Sequence, residues 1–97
     1  MKKILIIGRD ELKASMAAEG VNIALTAEKV PAIAMSATAH NLKEAVVAIA
    51  TTNPDLVVLS QCMGEDGKKI LANNVGRLNV VMRPSISISE VVGMISH

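Results

Sequence analysis

Met1-Lys2-Lys3-Ile4-Leu5-Ile6-Ile7-Gly8-Arg9-Asp10-Glu11-Leu12-Lys13-Ala14-Ser15 sets the architecture of the chain. The run from Ile4 to Ile7 is apolar without interruption, rich in β-branched residues and too short to span a membrane. It reads as a strand buried on both faces. Gly8 ends it, and Asp10 caps a helix whose apolar positions recur at Leu12, Met16, Ile23 and Ala27. A buried strand that turns directly into a helix N-terminus is where α/β domains usually hold ligands, because backbone N–H groups there point into the crevice. The turn itself reads Gly8-Arg9-Asp10-Glu11, and its chemistry bounds what that crevice can do.

Outward from this start, strand and helix patterns alternate. Helical spacing covers residues 10–29, with Leu12, Met16, Gly20, Ile23 and Ala27 along one stripe. Gly20 weakens that helix by about 1 kcal/mol relative to Ala. It either lets the helix lie close to the sheet or marks a break before a short strand at 21–25; a single helix is the preferred reading. Val30-Pro31 stops the helix, since a residue before proline is pushed out of the α region, and 32–36 is a second apolar strand. Asn41-Leu42-Lys43-Glu44 has the form of a capping box, opening a helix with Leu42, Ala45, Val46, Ile49 and Ala50 on one face. Asn53-Pro54 ends it, and 55–59 is the third strand, followed by the loop Ser60-Gln61-Cys62-Met63-Gly64.

A shorter helix is expected over 65–75, then a fourth strand at 79–82 closed by Arg83-Pro84. Ser87-Ile88-Ser89-Glu90 offers another capping box, for a last helix whose inner face is Val91, Val92 and Ile95. Such alternation implies a parallel sheet with right-handed crossovers and helices on both faces. The expected architecture is one α/β domain over 1–97, a flavodoxin-like three-layer α/β/α fold. Its four-stranded parallel sheet is doubly wound in the order 2-1-3-4. The switch point then falls between strands 1 and 3, lined by Gly8, Arg9, Ser60, Gln61 and Cys62.

Composition narrows the function. Half of the 97 residues are hydrophobic (51%), yet Phe, Tyr and Trp are absent. The core must be filled by Ile, Leu, Val, Ala and Met, so the methionines at 16, 35, 63, 82 and 94 read as core filler in place of aromatics. The missing aromatics remove the platforms on which single-stranded nucleic acids stack. A net charge of +1, with no basic block, argues against a nucleic-acid or acidic-membrane surface. A single cysteine, Cys62, excludes an internal disulfide framework, and His40 and His97 have no metal-ligand spacing with it. No signal-peptide pattern or transmembrane run is present. The expectation is a small, complete cytoplasmic protein without a cofactor or metal.

Several residues carry a resemblance. The opening MKKI, the strand ending at position 8, Ser15 in the first helix and Val30-Pro31 leading into strand 2 resemble the enzyme IIB proteins of the bacterial sugar phosphotransferase system. The lactose/cellobiose type is most similar, the galactitol type less so. The likeness is best over the first third and is architectural after Thr38. It implies a cysteine directly after strand 1 that accepts phosphate from a partner protein, in a small, hydroxyl-rich loop. Here that position is Gly8, which has no nucleophile, and the loop carries Arg9, Asp10 and Glu11. Two carboxylates beside a dianionic phosphoryl group cost on the order of 1 kcal/mol each even in water, and Arg9 offsets one of them.

A weaker resemblance links Asn53 to Leu59, Met63, Asp66-Gly67, Ile70-Leu71 and Arg83-Pro84 to response-regulator receiver domains. There the phosphoacceptor aspartate is replaced by Ser60, and the acidic pair after strand 1 is missing unless Asp10 and Glu11 shift into its place.

The ligand-binding candidates are therefore Gly8, Arg9, Ser15, Ser60, Gln61 and Arg83, with the two arginines positioned to converge on a small anion. Cys62 is the one strong nucleophile, and a helix N-terminus beside it would lower its pKa; a buried small hydrophobe is the plain alternative. Ser60 has no base to activate it. Asp10 and Glu11 read as capping and dipole compensation rather than acid–base groups. The resemblance implies an enzyme IIB-like protein that lacks the phosphoacceptor cysteine and serves docking or regulation, without enzyme activity, through a phosphotransferase or signalling partner. The alternative is a degenerate receiver-like signalling or interaction module. An edge strand 4 and an apolar last helix also permit a homodimer.

Overall fold

A computed structural model of the chain describes residues 1–60, 79–83 and 87–95. The elements are β1 (Lys2–Gly8), α1 (Glu11–Ala27), β2 (Ala32–Thr38), α2 (Leu42–Thr52), β3 (Leu56–Ser60), β4 (Asn79–Arg83) and α3 (Ile88–Ile95). The expected helix over 65–75 lies outside the described residues. β1 is the central strand, paired in parallel with β2 on one side and β3 on the other. β4 continues the sheet beyond β3, so the backbone order is β2-β1-β3-β4. In a parallel sheet both faces are covered and the strands read as continuous apolar runs. Ile4, Leu5, Ile6 and Ile7 of β1 and Leu56, Val57, Val58 and Leu59 of β3 are accordingly all buried.

Alternation along these strands divides the core in two. Ile4, Ile6, Leu56 and Val58 face α1 and α3, meeting Ala18, Val21, Leu25, Val91, Val92 and Ile95. Leu5, Ile7, Val57 and Leu59 face the other way, toward Ala45 of α2. Helices thus lie on both faces of a parallel sheet. The expected inner face of the last helix, Val91, Val92 and Ile95, is spent inside this core.

The inner face of α1 differs from the expectation. Ala14, Ala18, Val21 and Leu25 are its buried residues. Leu12, Met16 and Ile23 are 68%, 62% and 65% exposed. At 100° per residue these three cluster on the side of the helix opposite Val21. The physical reason lies in the partners. α1 packs chiefly on β2 and α3, and small side chains at 14, 17, 18 and 24 let it approach them closely, while larger ones would hold it off. Apolar residues are spread around the helix between Glu11, Lys13, Glu19 and Asn22, so the pattern marks no single apolar face. Met16, read as core filler, therefore stands in solvent, whereas Met35 and Met94 pack against the core.

Local chemistry sets the boundaries. Asp10 caps α1, its carboxylate accepting the Lys13 N–H at 3.2 Å. The helix runs unbroken through Gly20, which faces α3: a Cβ there would lie 2.7 Å from Ile88 Cδ1, the mobile end of that side chain. α1 ends before the proline. Lys29 N–H donates to Thr26 O and Val30 N–H to Leu25 O, with Lys29 at φ 56°. This is a Schellman ending with its apolar contact made by Val30. In α2, Asn41 accepts the Glu44 N–H, and Glu44 reaches one residue beyond the cap to the His40 N–H. Asn53, at φ 51°, closes that helix. Of its expected apolar face, Ala45 is buried and Ile49 packs on the core, but Val46 is exposed.

Candidate functional site

At the C-terminal edge of the sheet, register places the strand ends in a row. Gly8 pairs with Thr38, Ile7 with Leu59, and Ser60 with Arg83. Gly8 and Ser60 therefore leave adjacent strands at the same level, on either side of the point where the chain order reverses. This is the crevice in which α/β sheets bind ligands. Of the residues expected to line it, Gly8 and Ser60 are brought together by backbone register, and Arg83 follows on β4. Gln61 and Cys62 lie outside the described residues, so the reactivity expected of Cys62 falls there too.

Gly8 is buried, and its carbonyl accepts the Ala39 N–H at 3.0 Å. The strand end is thus tied to the segment that follows β2. Arg9 and Asp10 are exposed in the turn beyond it. A phosphate cradle needs the first N–H groups of the following helix unengaged and aimed at the ligand. Here the Lys13 N–H is already committed to the Asp10 carboxylate. The helix end therefore carries its own anion, and a phosphoryl group would meet a negative charge at that point. The Asp10 carboxylate in this turn caps α1, and Gly8 offers no side chain to the crevice.

Ser15 stands apart from this crevice. It lines an open groove of about 670 Å3 between α1 and β2, along with Glu19, Asn22, Ile23, Met35 and Ser36. The structure therefore separates Ser15 from Gly8 and Ser60. Asn22 is the residue that sequence reasoning missed: its side-chain Nδ2 donates to Ala34 O at 2.9 Å and its Oδ1 accepts the Ala34 N–H at 2.8 Å. Helical periodicity marks it only as a polar residue flanking an apolar stripe, and nothing local reveals its partner on β2. At the opposite end of the sheet, Asp55 ties β3 to β1, its carboxylate accepting the Lys3 N–H and its own N–H donating to Lys3 O, both at 2.8 Å.

Among the described residues, no group of three or more His, Cys, Asp or Glu side chains could hold a metal ion. No helix among them is long and apolar enough to cross a membrane. No protein-family model matches the chain, and no curated protein matches it.

Proposed function

We propose that this chain is an enzyme IIB-like protein of the bacterial sugar phosphotransferase system. In this reading it has a flavodoxin-like, doubly wound fold, carries no phosphate on the usual position and works in the cytoplasm by docking a protein partner. The observation that carries the reading is the outer face of α1. Three large apolar side chains, Leu12, Met16 and Ile23, project into solvent opposite the face that α1 buries. They offer on the order of 300 Å2 of apolar area. That is well short of the roughly 800 Å2 per partner of a stable complex, and a patch of that size on a small domain is often functional. A transient contact with a phosphotransferase partner protein fits both figures.

The turn supports the inert half of the proposal. Gly8 supplies no attacking atom, and Asp10 occupies the helix end where a phosphoryl group would be held. Incubation with the general phosphocarrier proteins and phosphoenolpyruvate tests it: the intact mass of the chain stays unchanged. A phosphoryl adduct on any residue would overturn the proposal.

A further inference from the structure

Among the described residues β2 ends the sheet, pairing with β1 on one side and with no strand on the other. Such an edge offers a row of backbone donors and acceptors to any passing strand, and proteins usually blunt it with charge, proline or a bulge. The seven residues Ala32–Thr38 (AIAMSAT) carry no charge, no glycine and no proline. By composition this is an association-prone segment whose gatekeepers, Lys29 and Pro31, stand only at its start, with none inside the strand. Protection has to come from elsewhere in the chain.

It comes from Asn22. The N–H and C=O of Ala34 both engage the Asn22 amide, so both point away from β1. In a parallel strand alternate residues share that orientation, which puts Ala32, Ser36 and Thr38 on the same open edge. The Ala32 N–H is taken by Val30 O at 2.9 Å. Thus the Ala32 N–H and both Ala34 groups are engaged by the chain itself. At the centre of the edge, one side-chain amide supplies the donor and the acceptor that an added strand would bring. Among the described residues the Ala32 carbonyl and the outward groups of Ser36 and Thr38 are left, and a strand laid along them would run into Asn22.

We infer that Asn22 is a lock on the β2 edge, built to keep a second copy of this chain from adding its own β2 across it. The rival explanation is that Asn22 only fastens α1 to β2. Both readings have Asn22→Ala lower stability; they differ in what happens to association. If the amide is a lock, its loss frees the Ala34 groups and lets two β2 edges pair.

The test is sedimentation velocity over a range of concentrations, with four chains compared: wild type, Asn22→Ala, the double variant Asn22→Ala/Ser36→Pro, and Leu25→Ala. The proline removes an outward N–H from the edge without touching the pairing to β1, a placement that edge strands tolerate. Leu25→Ala is a core truncation that loosens the fold but leaves the edge locked, so it controls for association through partial unfolding. The lock predicts that Asn22→Ala self-associates on the order of tenfold or more tightly than wild type, the net of recovering two backbone hydrogen bonds per edge pair. Amide hydrogen exchange at Ala34 and Ser36 in that variant slows as concentration rises. The double variant and Leu25→Ala sediment as wild type does. Should Asn22→Ala fail to fold, Asn22→Ser replaces it, since a hydroxyl is too short to span both Ala34 groups. An Asn22 variant that sediments like wild type overturns the inference, as does association of Leu25→Ala to the same degree or wild-type association through β2.

Discussion

Leu25→Ala and Ile23→Ala form a pair that asks which side of α1 faces the core. Leu25 is 1% exposed and sits among Ile4, Ile6, Val21 and Leu56. Truncating it removes three buried carbons and leaves a cavity between helix and sheet, a change that costs about 2–5 kcal/mol. Ile23, two residues earlier, is 65% exposed. Most of its surface is already in water, and alanine is the better helix former, so its truncation shifts stability by no more than about 0.5 kcal/mol.

The chain has no Trp, Tyr or Phe, so unfolding in urea is followed by far-ultraviolet circular dichroism. With a slope near 1–1.5 kcal/mol/M for a domain of this size, Leu25→Ala lowers the midpoint by about 2 M. That is a large fraction of a total stability on the order of 5–15 kcal/mol. The Ile23→Ala midpoint stays within about 0.5 M of the parent. A reversed ranking, with Ile23→Ala the costlier of the two, would mean that α1 is rotated about its axis and that the exposed apolar face does not exist.

Lys29→Gly raises stability by roughly 0.5–1 kcal/mol, because Lys29 holds a left-handed conformation that glycine adopts without strain. The same urea titration reads it, and a loss of stability would show that the lysine side chain has a compensating contact. Gly20→Ala is near neutral on its own: the gain in helix propensity, about 1 kcal/mol, offsets the crowding of Ile88 Cδ1 at 2.7 Å. In an Ile88→Ala background the same substitution recovers most of that gain, and a double-mutant cycle with no coupling would place the glycine's role elsewhere.

The sequence made the sheet legible because its strands are extreme. Ile4 to Ile7 and Leu56 to Leu59 are apolar at every position, a pattern that parallel pairing with both faces covered produces and an exposed-face sheet does not. Turn chemistry made the helix starts legible too, at Asp10 and Asn41, where a side-chain oxygen has a clear task. The orientation of α1 was not legible. Its large apolar residues give the stronger periodic signal, but its small ones do the packing, and close approach to β2 and α3 is a property of the neighbours. Similarly, Val30-Pro31 suggested where α1 stops, while the stop itself comes three residues earlier through the Lys29 turn. The strand end at Gly8 was readable. Asn22 was not, because its role exists only once Ala34 is placed beside it.

On the proposed function, this chain meets its partner through the outer face of α1 and takes no phosphate in doing so. An amide-resolved NMR titration of the isotope-labelled chain with purified phosphocarrier proteins, in the presence of phosphoenolpyruvate, reads both halves at once. The account predicts saturable shifts along α1 around Leu12, Met16 and Ile23, with no phosphorylated residue in the spectrum. Shifts confined to other elements, no shifts at all, or a phosphorylated side chain would contradict it.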